Sequence, residues 1–392
     1  MLDPSAVLDL ESLVASARAS AGFTDLGDDR FLEPLARFLE ALVKEANLNE
    51  AGLMSWQLTI ETALVNRLRM THDVTEHPEI LAEDVSAPIV ILGLPRTGTT
   101  KLQRMMSAVP EVQSLLTWRL MNPAPFPGPV SPGEPDPRIA VAQAYEHMIR
   151  AMAPDLAAGH SIEAEQPEEE TFLMETGYES IILGIRVPVP HFMSWLWSRT
   201  PRAMYDHLRM QLQYLQWQDG GRRGRPWIMK SPLHLPNFEL LVDTFPGATF
   251  LHCHRDPAAC IPSMARLSEA YRGTQSDIID TDEIGRTQLE LWSEALTRYL
   301  GQRAGLAGRV EILDVGYRSV VADAMAVITE VFGRAGIPLN AEGRARMEAY
   351  ATENPQGRFG RFDYSLERFG LTEADIQQRF GRYRAAFAKE LA

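Results

Sequence analysis

The run Gly93-Leu94-Pro95-Arg96-Thr97-Gly98-Thr99-Thr100 combines two glycines five positions apart, a cation between them and a pair of hydroxyls immediately after. These residue types at this spacing suit anion binding. A tight turn leaves successive backbone N–H groups without internal partners, and a helix opening behind it adds the positive end of its dipole. Arg96 supplies charge inside the loop, and Thr97, Thr99 and Thr100 supply hydroxyl donors on either side of Gly98. Against the phosphate-loop pattern G-x-x-x-x-G-K-[ST] the glycines fit, but Thr99 stands where the Lys belongs. In nucleoside-triphosphate enzymes that Lys reaches the β- and γ-phosphates and the next hydroxyl holds Mg²⁺. A cation moved to Arg96 therefore points toward a different anionic group. Further along, Lys230 ends an apolar run and precedes Ser231-Pro232-Leu233-His234, and Arg255 follows His252-Cys253-His254, with Ser263 eight residues on.

Elements must carry these side chains. Ala87 to Leu92 is a β-branched run of strand length, and the residues from Thr99 onward have helical apolar spacing. Pro226 to Lys230 and Ala248 to His254 read as two more buried strands, the second capped into a helix by Arg255-Asp256-Pro257. Arg309 to Val315 reads as a further strand, followed by Tyr317 and an amphipathic helix that stops at Gly336-Ile337-Pro338. On a parallel sheet, ligands bind at the carboxyl edge, where these strand ends would lie together. Periodic apolar residues over 35–48 and 53–74 make residues 1–85 helical, expected to pack over the sheet. Pro123 to Pro137 is too rich in Pro and Gly for either regular element and reads as a linker or surface flap. From 138 to 218 the chain is mostly helical, interrupted by the acidic run Glu163 to Glu170 and by Val187-Pro188-Val189-Pro190. Its many aromatic residues, Phe172, Tyr178, Phe192, Trp195 and Trp197 among them, serve either as core or as the wall of an apolar acceptor pocket. The expected architecture is one α/β domain over 1–392, a phosphate-loop-type parallel sheet of four or five strands flanked by helices. An N-terminal helical layer (1–85) and a helical cover inserted over 120–225 complete it.

A formal charge of -14 argues against a broad nucleic-acid or anionic-membrane surface, so an anion site must be a local basic pocket. Met1-Leu2-Asp3-Pro4 lacks the basic and apolar regions of an export signal, and no apolar run reaches ~18 residues. The expectation is a cytoplasmic protein without membrane insertion; the oligomeric state is not legible. The two cysteines, Cys253 and Cys260, lie near His252 and His254, but strand alternation puts the histidines on one face and Cys253 on the other. With no second ligand pair at zinc-like spacing, buried thiols are expected and no metal.

Pro95-Arg96-Thr97-Gly98-Thr99-Thr100 after a strand resembles the 5′-phosphosulfate loop of the sulfotransferase family. Arg255 and Ser263 match in separation the family's strand-end Arg and helix Ser, which hold the donor's 3′-phosphate. Tyr317 resembles the family's Tyr near the adenine, and Arg358 and Arg361 fall in a tail similar to its late basic, Gly-rich loop. The motifs Lys-Ser-Pro-x-His and His-Arg-Asp-Pro look closest to the large bacterial branch. Cytosolic members have a Trp after the Thr pair to stack on adenine, where this chain has Lys101.

The resemblance implies transfer of a sulfuryl group from 3′-phosphoadenylyl sulfate (PAPS) to a small-molecule hydroxyl, with adenosine 3′,5′-bisphosphate (PAP) as product. By analogy with phosphoryl transfer, charge builds on the leaving phosphate in a loose in-line transition state. Arg96 and Lys230 would meet it with charge, and Thr99 and Thr100 with hydroxyls. The acceptor needs a base. The family's His stands two residues after the strand-end Lys, where this chain has Pro232, so His234 is the first candidate and Glu169 the second. Two other readings stay open: a nucleotide or small-molecule kinase on the same plan, and a nucleotide-binding protein that transfers nothing.

Overall fold

In a computed structural model, which describes residues 2–131, 133–221, 224–354 and 364–392, the strands are β1 (Ile89–Gly93), β2 (Gln113–Ser114), β3 (Trp227–Lys230), β4 (Thr249–His254) and β5 (Ile312–Gly316). They form one parallel sheet in the order β2-β3-β1-β4-β5. Every residue of β1 is buried, as expected of a central parallel strand covered on both faces. Alternation sends Ile89 and Ile91 into one apolar cluster with Leu102, Met106, Ile328 and Phe332. Val90 and Leu92 enter the other, with Phe250, Trp292 and the cover.

The sheet register fixes where chemistry can occur. Ile91 lies opposite Lys230, and Gly93 lies opposite Cys253, so β1, β3 and β4 end at nearly one level. From β1 the chain passes to the edge strand β2 and back to β3 on one side, and then to β4 on the other. The loop after β1 therefore sits where the strand order reverses, the crevice that ligands of open α/β sheets use.

Helices Leu10–Ala21, Leu32–Lys44 and Glu50–Glu76 make the N-terminal layer. The expectation that they pack over the sheet needs correcting, because their fixed contacts are with the cover and with the turn after helix Pro257–Gly273. Asn49 N donates to Gln275 O at 2.9 Å, and Trp56 Nε1 donates to Gln275 Oε1 at 2.6 Å. Gly52 allows this approach, since a Cβ there would lie 2.2 Å from the Gln275 carbonyl oxygen. Phe38 packs against Trp56 and against Phe192 of the cover, at 5.0 and 5.2 Å between ring centroids. Phe192 and Tyr178 thus belong to the core.

The cover comprises helices Pro137–Met152, Pro154–Gly159, Thr171–Glu175, Ile182–Arg186, Pro190–Trp197 and Arg202–Gln218. Between 123 and 136 the described residues carry neither helix nor strand, in keeping with their Pro and Gly content. After β3 the chain makes a 3₁₀ segment, Pro232–Asn237, and only then the α-helix Phe238–Thr244, because Pro236 withholds an N–H from the first turn expected at Ser231. Strand β2 was not foreseen; it is two residues long at the sheet edge. Among the described residues, no helix is long and apolar enough to cross a membrane.

Candidate active site

The loop after β1 is built by backbone strain. Arg96 has φ 72° and Gly98 φ 85°, so a side-chain-bearing residue and a glycine both enter the left-handed region within three positions. A Cβ on Gly93 would meet the Cys253 carbonyl oxygen at 2.5 Å, which makes glycine obligatory where β1 leaves the sheet beside β4. Thr97 is buried, and its hydroxyl donates to the Leu94 carbonyl at 2.7 Å, closing the turn from inside. Thr99 is buried at the start of helix Thr99–Met106, and Thr100 and Lys101 are exposed. Arg96 reaches across to the cover, donating from Nη1 to the Gly159 carbonyl at 3.0 Å.

Three consecutive carboxylates meet three different cationic or imidazole groups. Glu170 accepts from the Lys230 backbone N–H at 2.8 Å, and its Oε1 lies 2.7 Å from His234 Nε2. The other ring nitrogen of His234 is 2.8 Å from the Tyr205 hydroxyl. His234 and Glu170 are wholly buried, so His234 has both nitrogens committed and no surface facing the cleft. Glu169, 18% exposed, pairs with the Lys230 ammonium, which is 2% exposed. The Thr171 hydroxyl donates to the second oxygen of Glu169 at 3.0 Å. Glu168 pairs with His160, Nε2 to Oε2 at 3.2 Å. The loop helix holds this turn in place: Gln103 donates to the Glu168 carbonyl at 2.9 Å, and Arg104 bonds Glu163 at 2.6 Å.

Burial resists charging of Glu168, but His160, Lys230 and Arg104 outweigh it and hold the carboxyl far below its usual range. Burial likewise opposes charge on His160, yet Glu168 prevails and holds the imidazole above its ordinary value. Sequence reasoning singled out Glu169 and His234 but missed His160, Glu168, Glu170, Gln103 and Arg104. The acidic run was the only available signal.

On the β4 side, Arg255 Nη1 donates to the Arg96 carbonyl at 2.8 Å while its guanidinium lies 4.2 Å above the Tyr317 ring centroid. A Cβ on Gly98 would also come within 3.6 Å of the Tyr317 ring, behind Val320 at 3.1 Å. The structure therefore brings loop, strand-end Arg and Tyr together. Ser263 lies two turns along helix Pro257–Gly273 and is buried. Arg358 and Arg361 lie outside the described residues. The rings of His252 and His254 lie 3.9 Å apart between centroids, tilted by 42°, on the opposite side of β4 from Cys253; His254 Nε2 meets Asp314 at 2.9 Å, and Arg303 donates to both Asp314 oxygens at 2.7 and 2.5 Å. Both cysteines are free and buried.

A cavity of about 670 Å³ lies between helix Glu50–Glu76 and the cover, walled by Trp56, Met70, Phe126, Tyr145 and Phe172. Its polar groups include the Arg186 to Glu175 ion pair (2.7 Å) and the Tyr178 hydroxyl, buried with no hydrogen-bond partner among the described residues. Its wall takes in Phe172, Glu175 and Thr176, which belong to or directly follow helix Thr171–Glu175 next to Glu169 in sequence.

A profile described as the sulfotransferase family matches residues 88–341. The curated omega-hydroxy-beta-dihydromenaquinone-9 sulfotransferase of Mycobacterium bovis is 23% identical over 315 residues, 77% of either chain. Among solved structures, a sulfotransferase (STF1) from Mycobacterium tuberculosis is 28% identical with a TM-score of 0.82, covering 95% of this chain and 98% of that one. Another (STF9), from Mycobacterium avium, is 26% identical with a TM-score of 0.86 and 97% coverage of both. The matched region begins at β1 and runs past β5, taking in the strained loop, the Lys230 strand end and the Arg255 to Tyr317 contact, and the chain belongs to the sulfotransferase family.

Proposed function

We propose that this sulfotransferase moves the sulfuryl group of PAPS to the hydroxyl of a small, largely apolar alcohol or phenol, releasing PAP. The observation that carries this reading is the double engagement of Arg255, bonded to the phosphate-loop carbonyl of Arg96 while stacked on Tyr317. That contact joins a 5′-phosphosulfate cradle to the place where a 3′-phosphate and adenine would lie. The loop N–H groups with Thr99 and Thr100 would hold the 5′-phosphosulfate, and Arg255 with Ser263 the 3′-phosphate. Arg358 and Arg361 belong to the same proposal as a closing loop. Lys230 and Arg96 would meet charge developing on the leaving phosphate, and each such preorganised donor is worth about 3 kcal/mol. Thr97 acts through the loop, holding its turn. Charge on the leaving group would be met by these side chains, and the reading needs no metal.

An apolar acceptor is supported by the largely apolar wall of the cavity under the cover. The mycobacterial relative's name points the same way, to a hydroxylated dihydromenaquinone. Reading the chain as one domain is supported by an apolar cluster running from Leu8 to Phe387, and a cytoplasmic setting by its two free thiols.

Thermal unfolding tests the donor. Strong stabilisation by PAP without Mg²⁺, and little by ATP with Mg²⁺, is expected. The reverse pattern would favour a kinase and overturn the reading.

A further inference from the structure

Sulfuryl transfer to a hydroxyl releases a proton, and the two bases legible in the sequence are poorly placed to take it. His234 has no exposed surface and both nitrogens bonded, and Glu169 is paired with Lys230. His160 is placed differently. It follows Gly159, whose carbonyl binds the phosphate-loop residue Arg96. A nitrogen of His160 and a carboxylate oxygen from each of Glu168 and Glu169 lie within 4.8 Å of one another, which sets the ring beside the Lys230 pair as well. Its side chain is 24% exposed, Nε2 meets Glu168, and Nδ1 has no hydrogen-bond partner among the described residues. Glu168 is itself fixed, through its backbone carbonyl by Gln103 and through its charge by Arg104.

We infer that His160 is the catalytic base and Glu168 its positioning residue. Donation of Nε2–H to the Glu168 carboxylate fixes the tautomer and leaves the Nδ1 lone pair of a partly exposed ring to accept a proton. The inference rests on the sulfuryl-transfer reading above. The acceptor oxygen forms its bond to sulfur as the sulfur–oxygen bond to the 5′-phosphate breaks, with that electron pair leaving on PAP. The hydroxyl proton passes to His160 Nδ1 and then to solvent.

The charges around the ring set a pH signature. Glu168 and Glu169 face it from their turn and Lys230 from β3, while Arg96 binds the preceding Gly159 carbonyl and Arg104 reaches Glu168 from the loop helix. From helix Pro257–Gly273, Arg266 is paired outward with Asp155, and Tyr271 lies behind Glu168. Glu168 outweighs burial and holds His160 above the ordinary imidazole value of about 6.5. Activity should rise with pH along a limb centred above that value, because only the neutral ring accepts a proton.

The experiment measures transfer of labelled sulfuryl from PAPS to phenol and 1-dodecanol as probes, with PAP binding followed separately by calorimetry. His160→Gln should lower kcat by about a hundredfold or more while PAP still binds. Glu168→Gln should lower kcat less and move the acid limb of kcat/KM to lower pH, a shift that a merely structural role would not produce. Turnover of His160→Gln within about tenfold of wild type would overturn the inference. Should that variant also lose PAP binding, the Glu168→Gln limb decides, and an unmoved limb overturns the inference. Wild-type protein that labels neither probe would instead count against the sulfuryl-transfer reading itself.

Discussion

Lys230 carries a charge at the end of β3 with almost no exposure, which is tolerable only because Glu169 meets it. If its task is to face charge on the leaving phosphate, Lys230→Met should lower single-turnover transfer by about a hundredfold or more. PAP affinity should change far less, since the product no longer carries the transferring group; an equal loss in both would assign Lys230 to ground-state binding instead. His234 leads to the opposite kind of prediction. Sequence alone makes His234→Ala a loss of turnover with intact donor binding. In the structure that substitution leaves the buried Glu170 without its imidazole partner and with only the Lys230 N–H, at a cost of about 3 kcal/mol. Tyr205→Phe removes one hydrogen bond from the same ring and should cost about 1–2 kcal/mol. Denaturant midpoints measure both. A His234→Ala protein as stable as wild type yet inactive would return His234 to the role of base.

The strand, loop and helix unit was the most legible element, and physics explains why. Burial on both faces wrote β1 as a continuous β-branched run, and the positive φ at Gly98 and the close approach at Gly93 wrote the loop as glycines. Gly93→Ala should accordingly abolish PAP stabilisation, because its Cβ would stand 2.5 Å from the Cys253 carbonyl oxygen and 2.9 Å from Thr97 Oγ1, the atom that closes the loop. Retained stabilisation would show that the loop shifts without losing its anion site. The acidic turn was far less legible. Glu168, Glu169 and Glu170 are chemically alike in sequence, and only the ends of β3 and of helix Pro154–Gly159 decide which meets His160, which Lys230 and which His234. His160 itself ends a short helix with no motif around it. Strand β2 is too short for periodicity to mark, and the N-terminal layer could not announce that it would rest on Gln275.

Across the whole molecule, buried imidazoles give a pH dependence with a definite sign. Burial holds His207, His252 and His254 below the ordinary histidine value, against the pull of Asp314 on His254. Their folded forms bind fewer protons than the unfolded chain, so their stabilisation is full above about pH 6.5 and is lost as pH falls. His160, held high, contributes the other way: its share is present below about pH 6.5 and lost as pH rises through its folded value. Three groups against one, and that one partly exposed, predict a denaturant midpoint that falls as pH is lowered from about 7.5 to 5.5. A flat or rising midpoint would mean that the buried histidines gain protons without cost.

If the strained loop, Lys230 and Arg255 form one site for sulfuryl transfer, the transferred group itself should be traceable. The most direct measurement follows ³⁵S from labelled PAPS, without added Mg²⁺, into phenol and 1-dodecanol. Label is expected in the sulfated alcohol or phenol with one PAP released per transfer, and that label should be lost in Lys230→Met. Label that stays in the donor with wild-type protein, while ATP and Mg²⁺ phosphorylate the same hydroxyls, would contradict it.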